Sequence, residues 1–387
     1  MLFIVIVIMD ILSSAEMDIC VPSFPEIQSV FGISSFAVEF VLGINLLAHC
    51  VGALVAGNLG DRYGRKPIIL SGLALFIFGS LMCALSPSYA GLLIGRFVQG
   101  IGISCPAVLT YVIIPDTYDI KTHQKLLGLL SFFSTLAAAI APIIGSYTTL
   151  LFGWRGNFYL LLILGIASYV FGYFFLPTGV RNNDVSVSLI EYVKILKNKK
   201  AMSYVFTICS LIVGYWVFIA MAPLLYVNDF GVSLKHFGWY QGSLAATFAL
   251  VSLSSEKLFN LFGVKKCFWW GMAFFALALA SILLLLLTNS QNPLLITMAL
   301  VMLSAAMVCP VNILCPHAFE AAPNEKGKLM AMLTLVKFGT VSFLVQITSF
   351  FYNGSFLAIG LTVSATIVAS LMLCHKLLKM DNVLDEA

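Results

Sequence analysis

Apolar residues run along this chain in blocks of about 20, separated by short clusters of charged residues, Gly, Pro and Asn. A helix of that length covers a hydrocarbon core of about 30 Å at about 1.5 Å per residue, so each block predicts a membrane span. Six such blocks fall at Leu2–Phe24, Phe36–Leu59, Pro67–Leu85, Tyr89–Ile114, Leu126–Phe152 and Phe158–Leu176. After a polar stretch, six more follow at Ser203–Tyr226, Phe237–Phe259, Cys267–Leu287, Leu294–Cys315, Leu329–Phe351 and Phe356–Leu373. The pattern predicts an all-α membrane protein of twelve transmembrane helices. Residues 1–176 form a first six-helix bundle, 177–200 a cytoplasmic linker and 201–387 a second six-helix bundle. Two repeats of this kind are expected to enclose a central cavity near the midplane.

Composition sharpens the picture: 60% of the 387 residues are hydrophobic, 10% are charged and the mean hydropathy is +1.01. Soluble domains are excluded, and the short loops leave no room for a catalytic one. The net charge of +4 comes without basic clusters of the kind nucleic acid needs, so nucleic acid is not an expected partner. Basic residues near span ends stay on the cytoplasmic side. Of the 21 Lys and Arg, Arg155 and Lys235 fall in odd-numbered loops, Arg96 and Lys337 fall inside spans, and all the others lie in even-numbered loops or after the last span. Both termini are therefore expected to be cytoplasmic. The first block lacks a basic start and carries Asp10, Glu16 and Asp18, which fits a span better than a cleaved signal peptide. The nine cysteines lie mostly in apolar blocks without CxxC spacing and read as small buried hydrophobes. With no P-loop, HExxH or GxSxG, the chain is read as a non-enzyme with no cofactor and no metal, which leaves proton motive force to drive any transport.

Charged residues inside apolar blocks are the next signal. Each costs about 2.5–3.5 kcal/mol on insertion scales and therefore faces a partner or a water-filled cavity. Arg96, in Arg96-Phe97-Val98-Gln99-Gly100-Ile101-Gly102 of the fourth span, requires a carboxylate or backbone carbonyls, and the first-span acids could answer it. At about 100° per residue, Asp10 and Asp18 differ by about 80° and lie about 12 Å apart, so they share one wall. Glu16 is turned about 200° from Asp18 and points elsewhere. Pro22 removes the hydrogen bond that the Asp18 carbonyl would accept, leaving a polar backbone group beside the carboxylate. Lys337 in the eleventh span either lines a cavity that favours neutral or anionic substrates or pairs with an acid such as Glu320 or one from span one.

Four motifs and one pair of acids carry a resemblance. The loop Gly57-Asn58-Leu59-Gly60-Asp61-Arg62-Tyr63-Gly64-Arg65-Lys66 resembles the signature loop of the major facilitator superfamily, and the likeness extends over all twelve blocks. It implies that Gly57, Asp61, Arg62, Gly64 and Arg65 form a conformational gate. The fourth-span stretch with Arg96, Gln99, Gly100 and Gly102 resembles that of the superfamily's proton-coupled drug antiporters, where the arginine is linked to proton transfer. Ala137 to Ser146, with Pro142 and Gly145, resembles their fifth-span motif, with Ala replacing two glycines and Ser a third. Asp18-Ile19-Cys20-Val21-Pro22-Ser23-Phe24-Pro25 is similar to the end of span one in the Bcr/CflA group, and the Asp10/Asp18 pair is similar to that of MdfA-like antiporters.

The resemblance implies an efflux antiporter of a bacterial inner membrane, exporting small lipophilic compounds. Asp18, Asp10 and Arg96 would couple proton to substrate, while Lys337 and Glu16 could line the cavity. Its partners would be a small-molecule substrate, protons and the bilayer, and a monomer is expected. A dedicated exporter of a metabolite or siderophore and a proton-coupled uptake symporter are the alternatives.

Overall fold

The computed structural model describes residues 1–118, 120–178, 190–322 and 326–381. Of the predicted linker, residues 179–189, Arg181 among them, lie outside the described residues, as do the last six of the chain. The helices are α1 (Leu2–Cys20), α2 (Phe24–Phe31), α3 (Ser35–Tyr63), α4 (Arg65–Leu85), α5 (Tyr89–Thr117), α6 (Ile120–Phe152) and α7 (Trp154–Phe175). They continue with α8 (Ile190–Lys197), α9 (Lys199–Pro223), α10 (Leu234–Phe262), α11 (Val264–Leu287), α12 (Pro293–Glu320), α13 (Lys326–Phe350) and α14 (Phe356–Met380). A 3₁₀ turn, Val21–Ser23, joins α1 to α2, and a π-helical turn, Leu224–Asp229, follows α9.

Ten of these helices are, by length and composition, apolar enough to cross a membrane. The other two long ones are α1, which carries three acids in 19 residues, and α10, which carries Lys235, Glu256, Lys257 and several serines. With these two the twelve expected spans are all present, and the chain is a multi-pass membrane protein. Several starts are fixed by side chains that accept the first free backbone N–H groups: Ser34 from Ala37, Ser88 from Gly91, Asn198 from Ala201 and Asn292 from Leu294. Such caps satisfy donors that lipid would leave bare.

The chain divides into two compact units, Met1–Leu189 and Ile190–Ala387. Within the first, α5 packs on α3 and α4, α4 on α7, and α1 on α6 and α7. Within the second, α12 packs on α10 and α11, α11 on α14, and α9 on α13 and α14, so the same pairing recurs. Stretch 190–200, assigned to the linker from sequence, is mostly helical: α8 packs on α9 and α13, and α9 begins at Lys199.

The turns repeat too. Gly64 joins α3 to α4 at φ 92° and ψ 154°, and Gly263 joins α10 to α11 at φ 83° and ψ 149°. Gly32 and Gly231 also take positive φ, at 60° and 65°. Both pairs are separated by 199 residues (263 − 64 and 231 − 32). A side chain is strained at such angles, which is why glycine stands at equivalent points of each half.

Candidate functional site

Helix α1 places its three carboxylates in three different settings. Asp10 is 2% exposed; its Oδ2 accepts from Ser134 on α6, and the Tyr111 hydroxyl of α5 lies 3.5 Å from the same serine oxygen. Glu16 is fully buried and forms an ion pair with Arg96 of α5. Asp18 is also buried, yet among the described residues it accepts no hydrogen bond and forms no ion pair. Helix α1 meets α6 beside Asp18: a Cβ at Gly145 would strike the Ile19 carbonyl, so glycine permits this approach.

The Glu16–Arg96 pair is the centre of a network that joins four helices. Arg96 donates through Nη1 to Gln99 Oε1 at 2.6 Å and through Nε to the Val41 carbonyl at 3.3 Å. Gln99 in turn donates to Ser80 on α4 at 2.8 Å. Asn45 of α3 donates to Glu16 Oε1 at 3.3 Å and to the Arg96 carbonyl at 3.2 Å. The guanidinium also lies 5.9 Å from the centre of the Phe158 ring. Both charges are removed from water, so each is tolerable chiefly because the other is present. Arg96 Nη2 and Glu16 Oε2 still lack partners among the described residues.

The helical angles placed Asp10 and Asp18 together and turned Glu16 away; the structure gives Glu16, not Asp10 or Asp18, to Arg96. The reason is the neighbour: α5 packs on α1 from the side that Glu16 faces, a fact of tertiary packing that angles within one helix do not contain. Gly100 and Gly102 make α5 narrow on two sides. A Cβ at the first would meet Asn45 and Ala48 of α3, and at the second Phe76 and Gly72 of α4. This close packing brings the network's members within reach of one another.

At the α3–α4 turn, Asp61 near the end of α3 forms an ion pair with Arg65 at the start of α4, and Arg62 lies 5.4 Å from the centre of the Tyr63 ring. Gly64 supplies the positive φ, whereas a side chain at Gly57 would meet open space. Pro142 lies inside α6, which continues through it to Phe152. Lys337, half-buried on α13, sits 4.1 Å from the centre of the Phe338 ring, which meets Trp216 edge-on at 6.2 Å. These residues belong to the second unit.

Sequence reasoning missed four residues. Asn45, Ser80 and Ser134 are neutral polar side chains in apolar spans, where nothing in the pattern separates a network member from a hydroxyl bonded to its own helix. Glu39 is different. It lies on α3, fully buried, and neither of its carboxylate oxygens has a hydrogen-bond partner among the described residues. An acid inside an apolar block was a legible signal.

Comparison with known proteins gives a consistent answer. A sequence profile described as the Major Facilitator Superfamily matches residues 6–345. The chain is 28% identical over 256 residues to the multidrug resistance protein MdtL of Shigella dysenteriae serotype 1, and the match covers 65% of each chain. The chain thus spans 65% of the length of the curated relatives it matches. Its structure is similar to the xylose transporter XylE from E. coli in a partially occluded inward-open conformation, with a TM-score of 0.76, 13% identity and coverage of 97% and 96% of the two chains. It is also similar to a D-xylose-proton symporter, with a TM-score of 0.77, 14% identity and 96% of each chain covered. At these identities the likeness shows a shared fold.

Proposed function

Because the chain belongs to the major facilitator superfamily, matched over residues 6–345, we propose that it is a proton-coupled efflux antiporter. It exports small lipophilic drugs or toxic compounds across the bacterial inner membrane by alternating access, with both termini in the cytoplasm. The likeness to multidrug resistance protein MdtL supports the cargo class. The Asp18 carboxyl, 6% exposed and without a hydrogen-bond or ion-pair partner among the described residues, is the observation that carries the coupling. An ionised carboxylate without a partner is costly out of water, and either a proton or a cationic group of the substrate removes that cost. The two therefore compete for one group, which is the minimum that antiport requires.

The neighbouring residues take separate parts. Asp10 accepts from Ser134; protonation weakens that charge-assisted bond and with it one tie between α1 and α6. Glu16 and Arg96 neutralise each other and hold α1, α3, α4 and α5 in register, so Arg96 acts through the position of α1. Asp61 and Arg65 form the gate at the α3–α4 turn.

The test is proton release in inverted membrane vesicles supplied with a panel of cationic, neutral and anionic compounds. Several unrelated compounds should release protons, and Asp18→Asn should abolish the response while leaving the amount of folded protein unchanged. Unaltered coupling in Asp18→Asn would remove this residue from the mechanism. Lys337 favours a second reading, a dedicated exporter of a neutral or anionic metabolite, because a cation beside Phe338 disfavours cationic cargo. A response confined to one such compound would select it.

A further inference from the structure

The second unit contains a groove that the transport reading does not use. Helices α13 and α14 both pack on α9 and only slightly on each other, leaving a crevice floored by α9. Its volume is about 570 Å³, and its walls include Val213, Leu344, Leu361, Ala365 and Ala369. Three of the four hydroxyls on these walls are turned back to their own helices: Ser210 donates to Thr207, Thr362 to Ala358 and Thr366 to Val363, while Thr340 is the fourth. The surface is thus mainly apolar. A second hollow of about 250 Å³ continues it, sharing Phe206 and Leu373 and ending at Lys376 and Met380.

The dimensions match one leaflet. On α14 the apolar part runs from Leu361 to Leu373, about 18 Å at 1.5 Å per residue, against about 15 Å for half of a hydrocarbon core. Lys376 follows about one turn further, at headgroup depth, on the face that the basic-residue count assigns to the cytoplasm. Its ammonium is exposed and has no ion-pair partner among the described residues, whereas nearby Lys200 is engaged by Asp381 at 2.7 Å. An apolar trough one leaflet deep, with a free cation at its outer end, complements one molecule class.

We propose that this groove binds one anionic phospholipid, with an acyl chain along α9 and α14 and its phosphate at Lys376. The inference is independent of which substrate is exported. The full-length protein in detergent would be titrated with phosphatidylglycerol and with phosphatidylcholine of identical acyl chains, and bound lipid read by native mass spectrometry. Wild type should hold phosphatidylglycerol more tightly. Lys376→Ala should raise its dissociation constant about fivefold, the equivalent of about 1 kcal/mol for one lysine near an anionic headgroup, and leave phosphatidylcholine unchanged. Lys376→Arg should restore the preference. Ala369→Phe, which fills the trough, should weaken both lipids. Equal binding of phosphatidylglycerol by wild type and Lys376→Ala, or undiminished lipid binding in Ala369→Phe, overturns the proposal. So does expulsion of the phosphatidylglycerol by a stoichiometric amount of a neutral lipophilic dye, which would make the groove a vestibule for cargo.

Discussion

Glu16→Gln separates the structural acid from the coupling acids. The substitution keeps the shape of the side chain and removes its charge, leaving the Arg96 guanidinium fully buried with Gln99, the Val41 carbonyl and a neutral amide. Breaking one side of a buried ion pair costs about 3–5 kcal/mol, because the remaining charge is left without compensation. For a unit of this size, each kcal/mol lowers the melting temperature by about 2–4 °C, so a fall of about 6–20 °C is expected. Thermal unfolding in detergent, followed by size-exclusion recovery after heating, measures it. The double variant Glu16→Gln/Arg96→Met removes both charges and should recover most of the loss, which makes the coupling energy of the pair readable as a double-mutant cycle. A single variant as stable as wild type, or a double variant no better than the single, would refute the assignment of Glu16 as the counter-ion of Arg96.

Two further outcomes follow from local geometry. Gly145→Ala should destabilise by about 1–3 kcal/mol through collision with the Ile19 carbonyl. Helix propensity alone predicts a gain of about 1 kcal/mol, so the sign of the melting-temperature shift decides between them. Beyond the end of α14, the Lys200 ammonium and then the Tyr204 hydroxyl hold Asp381 below the ordinary carboxylate range. A depressed value means that this tether contributes fully above about pH 4 and is lost as the pH falls through the shifted value. Limited proteolysis of the C-terminal segment should therefore accelerate in wild type below about pH 4, whereas Asp381→Asn should be equally susceptible on both sides of that pH.

The architecture was legible because lipid makes a simple demand. Blocks of one length give spans, and basic residues mark alternate loops. The site was legible only in part. Arg96 and the first-span acids were visible as charges where charges are costly, yet which acid meets Arg96 depends on the face that α5 presents to α1. Asn45 and Ser80 carry no such flag, since their contribution exists only once Gly100 and Gly102 let the helices approach. Glu39 carries the flag too, as an acid inside an apolar block, though no family motif surrounds it.

The three acids of α1 also have a consequence for biogenesis. Their combined insertion cost, about 7.5–10.5 kcal/mol if each is charged, offsets much of what the apolar residues around them gain in lipid. The partner that relieves Glu16 is Arg96, synthesised 80 residues later, and the one that relieves Asp10 is Ser134, 124 residues later. Helix α1 is therefore a span whose stable place in the bilayer depends on helices that leave the ribosome well after it. The first unit is assembled as a group, with its opening helix secured among the last.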